Sequence, residues 1–349
     1  MTSEFQEEEI LTPRRTIRKY EESIEKSIGS FGSLCLLCNN ISGPAFLGLP
    51  KLVASAGIIP VVVVIIVVCI CASLNGTFLA DSISSLPWNR NFSRPIQYST
   101  AFEYIVGKKT YWMIETLFLI SCFVQACSAI VVTAQSIDQF FASFLLGQSY
   151  GLQFYPTIKF LEWSPVNCVS AEDDTSTLMD CSPFHNSGPL VLTAGYLLTT
   201  ALFLPFGRHN FKEAILVQII SFGFLIVLVL QFFYEFHSRG YPYLHTVPWV
   251  GENFSQLAGV VLFNYAFGIT VPSWLSEKKE SVPVSRTIWT STVLCTIMYI
   301  AFAILGAASF EEKGSNLLVL LASKKVSMFT RICSALFGVL IIGTFRCLF

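Results

Sequence analysis

Long apolar segments without charged side chains restrict this chain to folds that exist in lipid. No Asp, Glu, Lys or Arg occurs between Ile58 and Leu79, and about 20 apolar residues suffice for one helix to cross the hydrocarbon core. Charged residues make up 13% of the 349, whereas soluble domains carry about 25%. Because backbone polar groups in lipid must be paired, the sequence predicts an all-α, polytopic membrane helix bundle.

Eight segments are long and apolar enough to span a bilayer. They leave residues 1–26 as a disordered cytosolic tail and residues 27–349 as a transmembrane domain. The predicted spans are 27–56, 58–79, 112–140, 189–206, 215–234, 256–276, 287–308 and 332–349.

The distribution of Lys and Arg predicts the orientation. Most of the 22 basic residues fall on the side that holds the amino terminus, which predicts an integral membrane protein with a cytosolic amino terminus. The plasma membrane and a vacuolar or lysosomal membrane both remain open. The loop at about 147–188 then faces an oxidising compartment, where Cys168 and Cys181 either form a disulfide or stay free.

The first predicted span contains a helix break, in the run Asn39, Asn40, Ile41, Ser42, Gly43, Pro44. Proline lacks an amide proton and glycine tolerates unusual dihedral angles. Carbonyls before the break and amides after it therefore lose their helical partners. Such amides suit a carboxylate, and such carbonyls suit an ammonium group or a cation. The break predicts a site for both charged ends of a zwitterion.

The sixth predicted span repeats the spacing of Asn39 and Gly43, which lie four residues apart. Asn264 likewise lies four residues before Gly268, and Pro272 follows. Matched interruptions in two halves are expected of an inverted-repeat transporter. The first repeat would cover about 27–234, and a partial second repeat about 252–349. The alternative is that proline kinks these helices and glycine permits close packing, without any ligand.

These residues resemble one known family. The run from Asn39 to Pro50, followed by a long Val/Ile helix, resembles the first span of the amino acid/auxin permease family, which includes sodium-coupled neutral amino acid transporters. The stretch from Phe263 to Glu277 is similar to that family's sixth-span region. The resemblance implies a five-plus-five inverted-repeat fold with broken helices 1 and 6, and secondary active transport of amino acids. Family members have more spans than eight, so the second repeat is expected to be incomplete, as a fragment or a divergent form.

The resemblance also implies roles for both breaks. Backbone groups of the first would hold the amino acid's charged ends, assisted by the side chain of Asn39 or Asn40, and the second would form the opposing wall, with Phe267 as a gate or as packing. The implied substrate-binding residues are Asn39, Asn40, Ile41, Ser42, Gly43, Pro44, Tyr265, Ala266, Phe267 and Gly268.

The third span carries Ser121, Gln125 and Ser128 at helical spacing on one face. They either line the transport pathway or hold neighbouring helices together through small polar groups.

A coupling ion, Na⁺ or H⁺, is implied between the first and eighth spans, near Asn39 and Thr344. Ionisable residues at membrane depth are the usual proton or ion sites. Asp81, Glu115 and Asp138 lie close to predicted interfaces, where we expect them to be solvated.

Other functional classes lack their motifs. The sequence contains no H-E-x-x-H and no P-loop, so we expect no enzyme, no cofactor and no nucleic-acid partner. A lone C-x-x-C, Cys35 and Cys38, does not complete a zinc site, so no metal is expected. The expected partners are an amino acid and the lipid bilayer. A rival interpretation is a membrane sensor that binds an amino acid without net transport.

Overall fold

The computed structural model describes residues 26–86, 89, 91–164, 184, 190–206, 211–310, 317–321 and 326–345. The predicted tail before residue 26, Cys168 and Cys181 lie outside the described residues. The fold is mostly helical. Its helices are α1 Ser30–Ile41, α2 Leu49–Ala56, α3 Ile58–Ser84, α4 Tyr98–Val106, α5 Lys108–Phe140, α6 Ala194–Phe206, α7 Phe211–Arg239, α8 Leu257–Asn264, α9 Val271–Glu277, α10 Val284–Ser309, α11 Leu317–Leu321 and α12 Met328–Phe345.

Within the described residues, five segments are long and apolar enough to cross a membrane, and a bent pair of helices makes up to six. These correspond to predicted spans 1, 2, 3, 5, 6 and 7, which confirms a multi-pass helical membrane protein. The five are Ile58–Ser84, Lys108–Phe140, Gln218–Arg239, Leu257–Glu277 and Val284–Ser309. The fourth predicted span contains α6, of 13 residues, and the eighth overlaps α12, of 18 residues.

The first span is broken where its sequence predicts. α1 ends at Ile41, a 3-10 turn covers Pro44–Gly48, and α2 follows. The helices on the two sides of the break are inclined by 52°. The Gly43 amide turns back to the Ile41 carbonyl at 2.7 Å, so the regular helical hydrogen bonding stops there.

The sixth span is also interrupted at the predicted position. α8 ends at Asn264, and Tyr265 leaves helical geometry with φ −100° and ψ 18°. A second 3-10 turn, Ala266–Thr270, leads into α9, which has Pro272 in its first turn.

The all-α prediction misses a three-stranded antiparallel sheet between α5 and α6. Its strands are β1 Ser149–Tyr155, β2 Lys159–Trp163 and β3 Leu190–Thr193, in the order β2-β1-β3. Burial alternates along the first part of β1, because one face packs on the protein. The polar composition of this loop concealed that alternation.

The predicted solvated role of Asp138 is wrong, because the side chain is 1% exposed. Its Oδ1 accepts hydrogen bonds from Ser149 Oγ at 2.7 Å and the Gly195 amide at 2.8 Å, and Oδ2 accepts from Thr193 Oγ1 at 2.5 Å. The carboxylate thus joins the end of α5 to the sheet and to the start of α6. Asp81 is exposed, as expected, and Glu115 is half-buried.

Helix α10 runs through the core beside the first span. The Phe46 ring, in the first 3-10 turn, lies 3.9 Å from the Phe302 ring and 5.6 Å from the Tyr299 ring, measured between centroids. All three side chains are fully buried. This aromatic packing fixes the broken first span against an unbroken helix and so positions the site.

Candidate functional site: two interrupted helices beside a cavity

The two helix breaks lie against each other. Asn40 Nδ2 at the end of α1 donates to Thr270 Oγ1 in the second 3-10 turn at 3.3 Å. The contact joins positions 230 residues apart in sequence, so the fold brings together the two runs that the sequence identifies separately.

Side chains of α10 cover the first break. Tyr299 donates its hydroxyl to the Ile41 carbonyl at 2.5 Å, and Ser42 Oγ lies 4.0 Å from Cys295 Sγ. The predicted unpaired carbonyl at Ile41 is therefore occupied by Tyr299, and that part of the prediction is wrong. On the sixth span, the Tyr265 hydroxyl bonds to Thr296 of the same helix α10.

Asn39 is buried in a different direction, toward α7. Its Nδ2 donates to the backbone carbonyl of Gln218 and to Gln218 Oε1, both at 2.8 Å. Both residues are 1% exposed. Asn39 Oδ1 is buried and has no hydrogen-bond partner among the described residues.

A cavity of about 360 Å³ adjoins the sixth-span break, within the range of roughly 300–1,000 Å³ found for small-molecule sites. It brings predicted pathway residues of α5 together with predicted wall residues of the sixth span. Its lining is Asn75, Tyr98, Ile120, Ser121, Val124, Gln125, Phe263, Tyr265, Ala266, Gly268 and Ile269.

Other predicted site residues lie outside this lining. Ser128 and the first-break residues 39–44 do not line the cavity. Phe267 is 1% exposed and lies close to Gly76 of α3, a position that favours its packing role. Thr344 lies in α12, whose last turns are described by backbone only.

The cavity has a mixed apolar and polar lining, and none of the lining residues that the structure describes is Asp, Glu, Lys or Arg. Among the described residues that line it, the polar side chains are Asn75, Tyr98, Ser121, Gln125 and Tyr265. Burial raises the pKa of the Tyr98 hydroxyl, and since tyrosine is already neutral near pH 7 at its ordinary pKa, this hydroxyl can donate a hydrogen bond. Such a lining can bind neutral polar groups and leaves ionic ends to backbone dipoles or ordered polar side chains.

Sequence reasoning missed Asn75, Tyr98, Gln218 and Tyr299. A signal existed for Asn75 and Gln218, which are polar residues inside apolar helices, where polar groups are costly and so often functional. Tyr98 and Tyr299 gave no such signal, because tyrosine is common at interfaces and in packing.

Backbone hydrogen bonds join the end of the first span to the segment that leads into the sixth span. We name this contact, between residues 55–59 and 248–253, the α2–α8 clamp. The amides of Ile58 and Ile59 donate to the carbonyls of Pro248 and Trp249 at 3.0 Å, and the Gly251 amide donates to Ala56 O at 2.8 Å. A Cβ on Gly251 would lie 2.2 Å from Ser55 O. The clamp therefore requires glycine at this position.

Replacing Gly251 should prevent this clamp from forming. We expect Gly251→Val to lower the free energy of unfolding by about 1–3 kcal/mol, as overpacking typically does, and to reduce function. Gly29→Ala is the control, since nothing lies within 4 Å of its added Cβ. Equal melting temperatures for Gly251→Val and wild type would contradict the assignment.

The opposite ends of the two spans are closed by the α1–α9 clamp, residues 26–28 against 277–280. The Ile28 amide donates to Glu277 O at 3.1 Å, and the Lys279 amide donates to Ile28 O at 2.9 Å. Lys26 Nζ lies 3.3 Å from Glu280 Oε1. Burial lowers the pKa of Lys278, and the charge of Lys26 lowers it further, while Glu280 opposes this.

Comparison with known proteins identifies the chain's family. Among the described residues, no cluster of three His, Cys, Asp or Glu side chains could hold a metal ion. No curated protein and no solved structure matches the chain. The family model described as transmembrane amino acid transporter protein matches residues 26–349. The chain therefore belongs to the transmembrane amino acid transporter family, whose members are transporters of amino acids across membranes and not enzymes.

Proposed function

We propose that this chain carries out secondary active transport of amino acids by alternating access around its two broken helices. The observation that supports this most directly is the meeting of both breaks, through Asn40 and Thr270, beside a cavity of about 360 Å³. Interrupted helices at membrane depth are tolerated where they line a cavity or bind polar groups.

The substrate would enter the cavity between α5 and the sixth-span break. Tyr265, Ala266 and Gly268 would form one wall, and Ser121 with Gln125 the facing one. The charged ends would be held by backbone groups of residues 40–44 once the contacts of Ile41 and Ser42 with α10 loosen.

The two clamps suggest how access alternates. They close the same pair of spans at opposite ends, so releasing one while the other stays formed would open the breaks to one side only. With a cytosolic amino terminus, the α1–α9 clamp would face the cytosol and the α2–α8 clamp the exterior or lumen.

A coupling ion would bind at the end of α1. The buried, unpartnered Oδ1 of Asn39 is an available acceptor, and α12, which contains Thr344, would complete the site. This oxygen acceptor suits Na⁺, whereas H⁺ coupling would need a titratable group elsewhere, because an amide oxygen is not protonated near neutral pH.

Uptake by purified protein in proteoliposomes tests the proposal. Labelled amino acids are offered under imposed Na⁺ or H⁺ gradients, and gradient-driven accumulation is expected. Gly43→Leu should abolish it. A Cβ at Gly43 meets nothing nearer than Ile41 O at 4.0 Å, so the first atom of the added side chain has room, and we expect the rest of the leucine to occupy the break.

The matched control is Gly223→Leu on α7, which is exposed and has no atom within 4 Å of an added Cβ. Uptake that survives Gly43→Leu would contradict the role of the first break. Amino acid binding without flux in well-inserted wild-type protein would favour the sensor instead.

A further inference from the structure

The side-chain amide of Asn39 has a fixed orientation, and Gln218 imposes it. The backbone carbonyl of Gln218 can only accept a hydrogen bond. The Asn39 atom that lies 2.8 Å from it must therefore be the nitrogen. The second hydrogen of the same nitrogen goes to Gln218 Oε1, also at 2.8 Å.

This arrangement uses both donors of Asn39 and leaves its oxygen free. Asn39 Oδ1 is buried, with no hydrogen-bond partner among the described residues. A buried acceptor without a partner costs about 1–3 kcal/mol. A side chain held in that state by two good hydrogen bonds is preorganised to receive a donor or a cation.

Two backbone carbonyls in the same turn of α1 also lack their regular helical donors. Pro44 has no amide proton, so the Asn40 carbonyl lacks its usual helical donor. The Gly43 amide donates to Ile41 O rather than to Asn39 O, four residues earlier. The carbonyls of Asn39 and Asn40 thus end α1 without their regular helical partners, close to Asn39 Oδ1 in the sequence.

We infer that Gln218 is a positioning residue that aims Asn39 Oδ1 at a positively charged group bound during transport. The group is either an inorganic coupling ion or the ammonium of the amino acid, since both need oxygen acceptors. The inference rests on the proposed function. Gln218, on the fifth span, would thus influence ligand binding through Asn39, without contacting the ligand itself.

Two substitutions separate positioning from packing. Gln218→Leu keeps the approximate volume but removes the Oε1 acceptor, so the Asn39 amide is no longer held by two bonds. Gln218→Glu keeps an acceptor oxygen at that place and should restore the ligand affinity that Gln218→Leu loses. The matched control is Gln231→Leu on the same helix, which removes a different interhelical bond, from Gln231 Nε2 to Thr330 Oγ1 at 2.8 Å.

The first measurement is the dependence of initial uptake rate on cation concentration at saturating amino acid, and on amino acid at saturating cation. For Gln218→Leu we expect at least one of the two half-saturating concentrations to rise about 10-fold, which is about 1.4 kcal/mol. Gln218→Glu and Gln231→Leu should leave both within about 3-fold of wild type, or roughly 0.7 kcal/mol. A change confined to the cation identifies an inorganic ion, and one confined to the amino acid identifies its ammonium.

The second measurement needs no flux. Melting temperatures of the purified proteins are compared in NaCl, in choline chloride, over a range of pH, and with added amino acid. Wild type should be stabilised by at least one of these ligands, and Gln218→Leu should lose that stabilisation.

Failure of the inference and failure of the proposed function can then be distinguished. A wild-type protein that shows ligand stabilisation but no uptake would contradict transport while the Gln218 comparison still applies. Equal ligand responses for Gln218→Leu and wild type, or equal damage by Gln218→Leu and Gln218→Glu, would overturn the inference. Absence of any stabilisation in a wild type that transports would overturn it as well.

Discussion

Gly268→Leu is expected to abolish amino acid uptake while leaving the protein folded. Gly268 lines the cavity, and a Cβ there would meet only Asn75 Nδ2, at 3.5 Å. The first atom of the new side chain therefore meets no backbone, and we expect the rest of the leucine to extend into the space proposed for the substrate. We expect uptake to fall by at least about 100-fold, equivalent to about 2.7 kcal/mol of lost binding, measured as initial rate in proteoliposomes.

The control for this substitution lies on the same span. Gly259 in α8 is exposed, and an added Cβ meets no atom within 4 Å, so Gly259→Leu should transport normally. Normal uptake by Gly268→Leu would place the substrate outside this cavity. A loss of uptake accompanied by a lower melting temperature would indicate damage to the fold instead.

Asp138→Ala is expected to have the largest effect on stability. The substitution removes the acceptor for three buried donors: the Ser149 and Thr193 hydroxyls and the Gly195 amide. An unpaired buried donor costs about 1–3 kcal/mol, so the free energy of unfolding should fall by roughly 3 kcal/mol or more. Equilibrium unfolding in a denaturing detergent measures this change.

Asp81→Ala provides the comparison, because Asp81 is exposed near the end of α3 and should be replaceable within about 0.5 kcal/mol. Asp138→Asn should fall between these two variants, since the amide keeps one acceptor oxygen but turns a nitrogen toward the donors. Similar unfolding curves for Asp138→Ala and Asp81→Ala would show that the buried network does not stabilise the protein.

Interruptions of the helices were predictable because their cause is local. Pro44 cannot donate to the carbonyl four residues earlier whatever surrounds it, and α1 ends just before it, at Ile41. Pro272 is the weaker example, since it lies in the first turn of α9, where proline is well tolerated. The sixth span is interrupted at Tyr265, seven residues before Pro272, and a 3-10 turn, Ala266–Thr270, follows the interruption.

Partners across the bundle were not predictable. The sequence marks Ile41 as a free carbonyl, yet Tyr299, 258 residues later, donates to it. Asp138 looks solvated because it ends an apolar run, but the sheet and the start of α6 fold over it. Burial of a side chain depends on segments remote in sequence, and no local pattern encodes it.

The division for the candidate site follows the same physics. The sequence alone determined two features of the site. Ser121 and Gln125 share a face because of the period of one helix, and the run from Tyr265 to Gly268 depends on the chemistry of a few neighbouring residues. Only the tertiary structure decided that these two groups share a cavity, that Phe267 packs away from it, and that Asn39 turns to Gln218. Those outcomes depend on how separate helices pack, because a side chain's surroundings are set by residues that the chain brings near only when it folds.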